Sequence, residues 1–203
     1  MKILVGCEES GKVRDAFLRR GHDAWSNDLI PARNGGPHYQ MDVMAALWEQ
    51  DWDLAILHPD CTAMAVSGNR YYAKGKADYW QREDAMAWTL RLWMLARHRT
   101  KVGVVLENPA SVIFPVLELY GARVQYTHPW QHGHMEQKKK TGLALDRLPL
   151  LKETNNVYDE MMKRPSKERE RIWKMSPGPN RKRDRSETFG GIAEALADQY
   201  GAL

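Results

Sequence analysis

Residues 53–70 read DLAILHPDCTAMAVSGNR, and this stretch decides the fold. An apolar run, 54–57, stops abruptly at His58-Pro59-Asp60-Cys61, and a polar loop with Ser67 and Gly68 follows. A short continuous apolar run bounded by turn residues predicts a strand buried on both faces. Such strands build parallel sheets, whose ligands sit in the crevice at the carboxyl ends of the strands. Cys61 therefore falls on the rim of a sheet. It is a candidate nucleophile, because the thiolate is the most nucleophilic common side chain near neutral pH. The competing reading is a small buried hydrophobe, which most unpaired cysteines are. Pro59 before it and the polar loop after it favour the rim.

The same pattern extends outward in both directions. Residues 2–5 read as a first strand, 6–11 as a turn, and a helix from Ser10 to Gly21 places Val13, Phe17 and Leu18 on one face. Residues 22–28 read as a second strand, 31–37 as a Gly/Pro loop, 38–42 as a brief strand and 43–49 as a helix. Beyond the cysteine come a polar loop over 62–78, a long helix over 80–99 and an apolar strand, 102–106, which Glu107-Asn108-Pro109 ends. A helix over 110–120 is expected to break at Pro115. Strands at 123–127 and 142–145 and a closing helix at 192–200 complete the chain. Strands alternating with helices predict an α/β fold of Rossmann-like type. Its central sheet is mostly parallel, helices cover both faces, and residues 1–203 make a single catalytic domain.

The 203 residues, 43% hydrophobic and 28% charged, suit one globular domain. No apolar run approaches the ~20 residues that span a bilayer, and MKILVGCEES is too short a start for a signal peptide. The expectation is a cytoplasmic protein with no membrane partner, either a monomer or a homodimer. Two cysteines, Cys7 and Cys61, supply neither a disulfide framework nor zinc spacing, and His132 and His134 lack a third ligand, so no metal is expected.

The net charge of +4 is unevenly spread. Residues 136–186 hold 15 Lys/Arg against 8 Asp/Glu and read as a basic, weakly structured segment within the domain. It is either a solvated surface or a footprint for a phosphate backbone, and the second makes DNA the expected partner. The loop NRYYAKGKADYW, 69–80, mixes basic and aromatic residues. It suits either base stacking or ordinary packing.

The turn Gly6-Cys7-Glu8-Glu9-Ser10-Gly11 has the glycines of a close ligand approach but not the G-x-G-x-x-G fingerprint. Asp28 at the second strand tip is placed to bind ribose hydroxyls, and Asp42 after the third to accept from an adenine amino group. Both are otherwise caps and turn residues. Glu8 and Glu9 would repel a pyrophosphate, which favours adenosine with a cationic tail, and S-adenosylmethionine fits.

Cys61 and Glu107 end consecutive central strands and can converge on one pocket. A thiolate adds to C6 of a pyrimidine while a protonated carboxyl group donates to N3, and C5 becomes nucleophilic toward a methyl group. Here the chain resembles the DNA cytosine-5 methyltransferase family. Pro59-Asp60-Cys61 with Ser67-Gly68 resembles its Pro-Cys motif and following loop. Glu107-Asn108 resembles its Glu-Asn dipeptide, and Gln137-Lys138-Lys139-Lys140-Thr141 is faintly similar to its Gln-x-Arg-x-Arg element. The closing RSETFGGIAEALADQYG resembles its last motif in reduced form. The compact arrangement is most similar to short methyltransferase-like proteins of bacteriophages, which would act in the host-cell cytoplasm. The resemblance implies a class I methyltransferase fold without a separate target-recognition domain, S-adenosylmethionine as cofactor, and methyl transfer to C5 of cytosine in DNA through a covalent cysteine adduct. Cys61 would be the nucleophile and Glu107 the N3 proton donor. Gly6, Cys7, Glu8, Gly11, Asp28, Asp42 and Pro59 would surround the cofactor. Ser67, Asn108, Lys139 or Lys140, Arg183 and Arg185 would meet substrate. Alternatives are a relative that modifies a free pyrimidine nucleotide or another base, and a non-catalytic binder of the cofactor or nucleic acid. Asp60 stands where the family has proline. Its charge would raise the Cys61 pKa unless His58 or a lysine offsets it.

Overall fold

The computed structural model describes every residue except Lys138 and Asn180, together with all side chains but that of Lys182, so the two basic runs at 138–140 and 180–185 lie partly outside the described residues. Seven strands form one sheet in the order β3-β2-β1-β4-β5-β7-β6. They are β1 (Lys2–Gly6), β2 (Asp23–Asp28), β3 (His38–Gln40), β4 (Trp52–Leu57), β5 (Thr100–Pro109), β6 (Arg123–Thr127) and β7 (Thr141–Asp146). The first five pair in parallel, whereas β7 inserts antiparallel between β5 and β6. This is the mixed α/β, mostly parallel architecture that the alternating pattern predicts.

Side-chain alternation along the strands creates two cores. Ile3 and Val5 of β1 and Ile56 of β4 face one side. There they bury against Val13 and Phe17 of α1 (Lys12–Leu18) and Ile192, Leu196 and Tyr200 of α9 (Gly190–Tyr200). Leu4, Ala55 and Leu57 face the other side. Their partners are Val43 of α2 (Val43–Ala46), Leu92 and Trp93 of α4 (Tyr79–Arg99), and Ile113 and Phe114 of α5 (Ile113–Leu119). Each such fully buried large side chain stabilises the fold by about 1.5–3 kcal/mol.

The structure differs from the sequence expectation in four places. β5 does not stop before Glu107, because antiparallel pairing with β7 runs from Val104↔Asp146 to Pro109↔Thr141 and carries the strand through Glu107-Asn108. α5 is unbroken. Pro115 is its third residue, in the first turn, where an N–H would have no intrahelical acceptor. The 62–78 loop contains a 3-10 turn, Val66–Gly68, and a short helix, α3 (Asn69–Tyr72). The weakly periodic 151–186 segment contains α6 (Tyr158–Met162), α7 (Ser166–Arg169) and α8 (Arg181–Ser186). Helices of 4–6 residues are too short to imprint an amphipathic period on the sequence.

Candidate active site

The strand tips of β1, β2 and β4 form one rim. β1 ends at Gly6, where a Cβ would lie 2.6 Å from Val43 Cγ2, so only glycine allows α2 to pack this close. Cys7 follows in the left-handed region at φ 59°, a conformation costing a non-glycine residue about 1–3 kcal/mol and concentrated at functional sites. Burial first, then the charges of Asp28, Asp42 and Asp60, push the Cys7 thiol up to about 12. Three carboxylates from three successive loops thus surround one point on the rim.

Glu8 does something else. It is 6% exposed, and its carboxylate turns inward to accept from the Val13 N–H at 2.8 Å, the Arg14 N–H at 3.4 Å and the Ser10 hydroxyl at 2.9 Å. It fills the start of α1, where a dinucleotide pyrophosphate would otherwise sit. Gly11, with φ 72°, has no room for a Cβ, which would lie 2.4 Å from Arg14 Nη2. Glu9 pairs with Arg33. Asp42 is the N-cap of α2, with Oδ1 accepting from Met44 N–H and Ala45 N–H, and Asp28 Oδ1 accepts from Ile30 N–H at 3.3 Å. A rim carrying carboxylates, with its helix start already filled by one, fits a cationic nucleoside ligand and not a pyrophosphate. Gly6–Cys7, Asp28 and Asp42 are the residues of this rim that could hold an S-adenosylmethionine molecule, the two carboxylates as hydrogen-bond acceptors.

Cys61 lies four residues beyond β4, on a loop fixed from two sides. Asn108, 2% exposed, donates its amide to the Pro59 carbonyl at 3.1 Å. Val66 N–H donates to Ala110 O and Val112 N–H to Met64 O, which joins this loop to the one after β5. From below, the buried Arg82 of α4 donates to the carbonyls of Ala63 at 2.8 Å and Ala65 at 3.4 Å. Asp60 accepts from the Thr62 N–H and hydroxyl, which closes its own turn. Neither cysteine is in a disulfide.

Glu107 stands on the neighbouring strand. His58 Nδ1 and Glu107 Oε2 are 2.7 Å apart, with side chains only 12% and 11% exposed. The Thr188 hydroxyl donates to the same Oε2 at 3.2 Å. Burial alone would push the imidazole down, but the hydrogen bond and charge of Glu107, with Glu8 behind, hold His58 above its ordinary value against Lys139. Burial likewise favours a neutral Glu107, yet the hydrogen bond and charge of His58, the charge of Lys139 and the Thr188 hydroxyl hold it below the usual carboxylate range. Burial pushes the Lys139 ammonium down, and the charges that oppose this come first from Glu107 and Cys61. Lys139 Nζ itself donates to Glu187 O at 2.7 Å and lies 5.1 Å from the Phe189 ring.

The remaining expected substrate residues are held by other contacts or lie on other elements. Ser67 is exposed on the 3-10 turn. Lys140 is exposed with Nζ 3.9 Å over the Tyr126 ring. Arg183 and Arg185 lie on α8, where Arg183 pairs with Asp184. His132 is buried between the hydroxyls of Thr127 and Thr154, and His134 Nε2 accepts from Gly191 N–H. Among the described residues no three His, Cys, Asp or Glu side chains gather to hold a metal, and no helix is long and apolar enough to cross a membrane. Sequence reasoning missed Arg82 and Thr188. An arginine inside an otherwise apolar helix face was the available signal for the first. Thr188 had none, since its partner is 81 positions away.

No protein-family model matches the chain, and no curated protein matches it in sequence. Solved structures do match in fold. A protein described as a DNA modification methyltransferase encoded within an E. coli prophage superposes with a TM-score of 0.51 at 11% identity, covering 82% of this chain and 56% of that one. The Entamoeba histolytica methyltransferase EhMeth superposes with a TM-score of 0.52 at 10% identity, covering 77% of this chain and 57% of that one. The chain thus spans little more than half the length of these neighbours, and it has the methyltransferase type of Rossmann-like fold.

Proposed function

We propose that the protein is an S-adenosylmethionine-dependent methyltransferase that modifies C5 of cytosine in DNA through a covalent Cys61 adduct. The observation that carries this reading is the joining of the Cys61 loop to the end of β5 that bears Glu107, through Asn108 donating to Pro59 O and the backbone bonds Val66 N–H to Ala110 O and Val112 N–H to Met64 O. A DNA substrate is supported by the basic segment and by the fold likeness to the prophage-encoded protein described as a DNA modification methyltransferase.

The cofactor, when bound, supplies an electrophilic methyl group. The chain's own residues prepare the base to accept it. Cys61 forms a bond to C6 of the ring, which converts C5 into an enamine carbon. Glu107 holds a proton at N3, so that the electron pair displaced by the thiolate is neutralised as it arrives. Lys139 offsets negative charge at both Cys61 and Glu107. A base in duplex DNA must leave the stack to reach Cys61.

The test is transfer of label from methyl-labelled S-adenosylmethionine to cytosine-containing DNA, with mass spectrometry of the nucleosides. Wild type yields 5-methylcytosine, and a 5-fluorocytosine oligonucleotide becomes trapped on Cys61. Cys61→Ala abolishes both while cofactor binding by calorimetry is retained. Full activity in that variant overturns the mechanism. Methylation of free nucleotides alone, or cofactor binding without turnover on any substrate, overturns the DNA cytosine-5 reading.

A further inference from the structure

The buried contact between His58 and Glu107 has no counterpart among the residues that the motifs single out. The carboxyl group that meets N3 must arrive with a proton. Glu107 lies beside the Lys139 ammonium, which favours the ionised carboxylate, and a lone carboxylate has nothing to donate. Thr188 bonds to it through a hydroxyl, which is too weak an acid to serve. The other group in contact is His58, at 2.7 Å. His58 and Thr188 both engage Oε2, so neither occupies Oε1.

We propose that His58 stores the proton that Glu107 delivers to the ring nitrogen of the bound pyrimidine, and that the two side chains act as one acid. This catalytic role rests on the methyl-transfer reading, whereas the pairing itself can be measured without turnover. Before the base arrives His58 is an imidazolium whose Nδ1–H faces the ionised Glu107 Oε2. The proton on Nδ1 passes to Oε2, which leaves a neutral imidazole and a carboxylic acid. A half-turn of the carboxyl group about its Cγ–Cδ bond presents that O–H to the base. As the thiolate bonds to C6, the displaced electron pair reaches N3, which takes this proton and leaves a carboxylate. C5 then bonds to the methyl group and loses its own proton to water; the C5–H electron pair forms the C5–C6 double bond as the C6–S bond breaks and its electrons return to sulfur. N3 gives its proton back to the Glu107 carboxylate, and the reverse half-turn returns it to Nδ1. The pair ends as it began, and the proton released overall is the one from C5.

The groups facing His58 and Glu107 come from three further elements. Glu8 lies on the turn after β1, Lys139 ahead of β7, and Thr188 ahead of α9. Glu8 supports the charged imidazole and Lys139 opposes it. His58 is a positioning and proton-holding residue. It acts on substrate only through Glu107.

Two measurements test this. The first follows the His58 ring resonances by NMR against pH in the substrate-free protein. In wild type His58 titrates above the ordinary histidine value, and in Glu107→Gln its midpoint falls by roughly 1–3 units, the span for loss of an adjacent opposite charge. A midpoint unmoved by Glu107→Gln overturns the pairing. The second follows methyl transfer by His58→Asn against pH. Its defect relative to wild type is at least tenfold larger at pH 8 than at pH 6, within the roughly 10²–10⁴ available from general acid catalysis. A uniform defect across pH marks a packing role and overturns the proton-holding one. If wild type forms no Cys61 adduct with 5-fluorocytosine DNA while the NMR coupling persists, the methyl-transfer reading falls and takes the catalytic role of His58 with it, leaving the pair intact.

Discussion

Replacing Arg82 by methionine tests whether the Cys61 loop is held from beneath. The guanidinium donates to Ala63 O at 2.8 Å and to Ala65 O at 3.4 Å, and both alanines are buried. Ala65 O also accepts from Gly68 N–H, so losing the long contact matters little. The loss falls on Ala63 O. A hydrogen bond from a charged donor contributes about 1.5–3 kcal/mol, and relief from burying the arginine charge offsets part of this. A net destabilisation of about 2 kcal/mol is expected. For a chain of this size that lowers Tm by roughly 4–8 °C. The functional consequence is larger than the thermodynamic one, since a 1 Å displacement of a reacting group costs on the order of 10²-fold in rate. Cysteine alkylation reads the loop directly. At pH 8 a thiol with a pKa of about 12 is only ~10⁻⁴ ionised, so Cys7 stays silent and mass-resolved iodoacetamide labelling reports Cys61. Arg82→Met should speed Cys61 labelling, lower turnover and leave S-adenosylmethionine affinity unchanged. A melting temperature within 1 °C of wild type, with unchanged labelling, would refute the argument.

Glu8→Ala removes the inward carboxylate from the start of α1 and should cost about 2–4 kcal/mol, combining a lost cap with orphaned buried N–H groups. Urea unfolding checks this, and a loss under 0.5 kcal/mol contradicts it. Gly191→Ala should fail to fold or melt far below wild type, because its Cβ would lie 1.9 Å from His132 O; a near-native melt counts against that packing. Arg20 bridges Glu194 and Asp198, joining α1 to α9, and holds both carboxyl groups below their usual range. Depressed carboxylates stabilise above their unfolded pKa values and lose that contribution as pH falls through the folded ones. These groups are largely exposed, so Arg20→Ala should cost less than about 1 kcal/mol at pH 7 and low salt, and nothing at pH 2. A constant difference across that range means the contact is not electrostatic.

The strands that the sequence reveals are those buried on both faces. Leu54–Leu57 and Val104–Leu106 are apolar without interruption because helices cover both sides of the sheet. What could not be read depends on partners distant in the chain. Nothing near Glu107 says that β7 will pair with it and extend β5 to Pro109. The candidate site residues were legible to different degrees. Cys61 and Glu107 stand out as candidates because they follow apolar runs. Glu8 looked like a rim acid and instead satisfies its own helix, because a carboxylate five residues ahead of an amide can fold back to it as readily as face a ligand. His58 was visible as a neighbour of the cysteine in sequence, but its bond goes to the strand beside it.

The segment 187–189 ties together residues from three separate parts of the chain. Glu187 pairs with Lys12 at 2.8 Å and Arg33 at 3.5 Å, its carbonyl receives Lys139, and Thr188 reaches Glu107. The first turn, the sheet centre and the basic segment are thus fastened by residues that leave the ribosome last among them. A nascent chain can lay down β1 to β5 in order, yet it cannot close its reaction centre until residue 189 has emerged and returned to the start of the sequence. Closure of this centre should therefore follow the folding back of residues 187–189 rather than formation of the sheet.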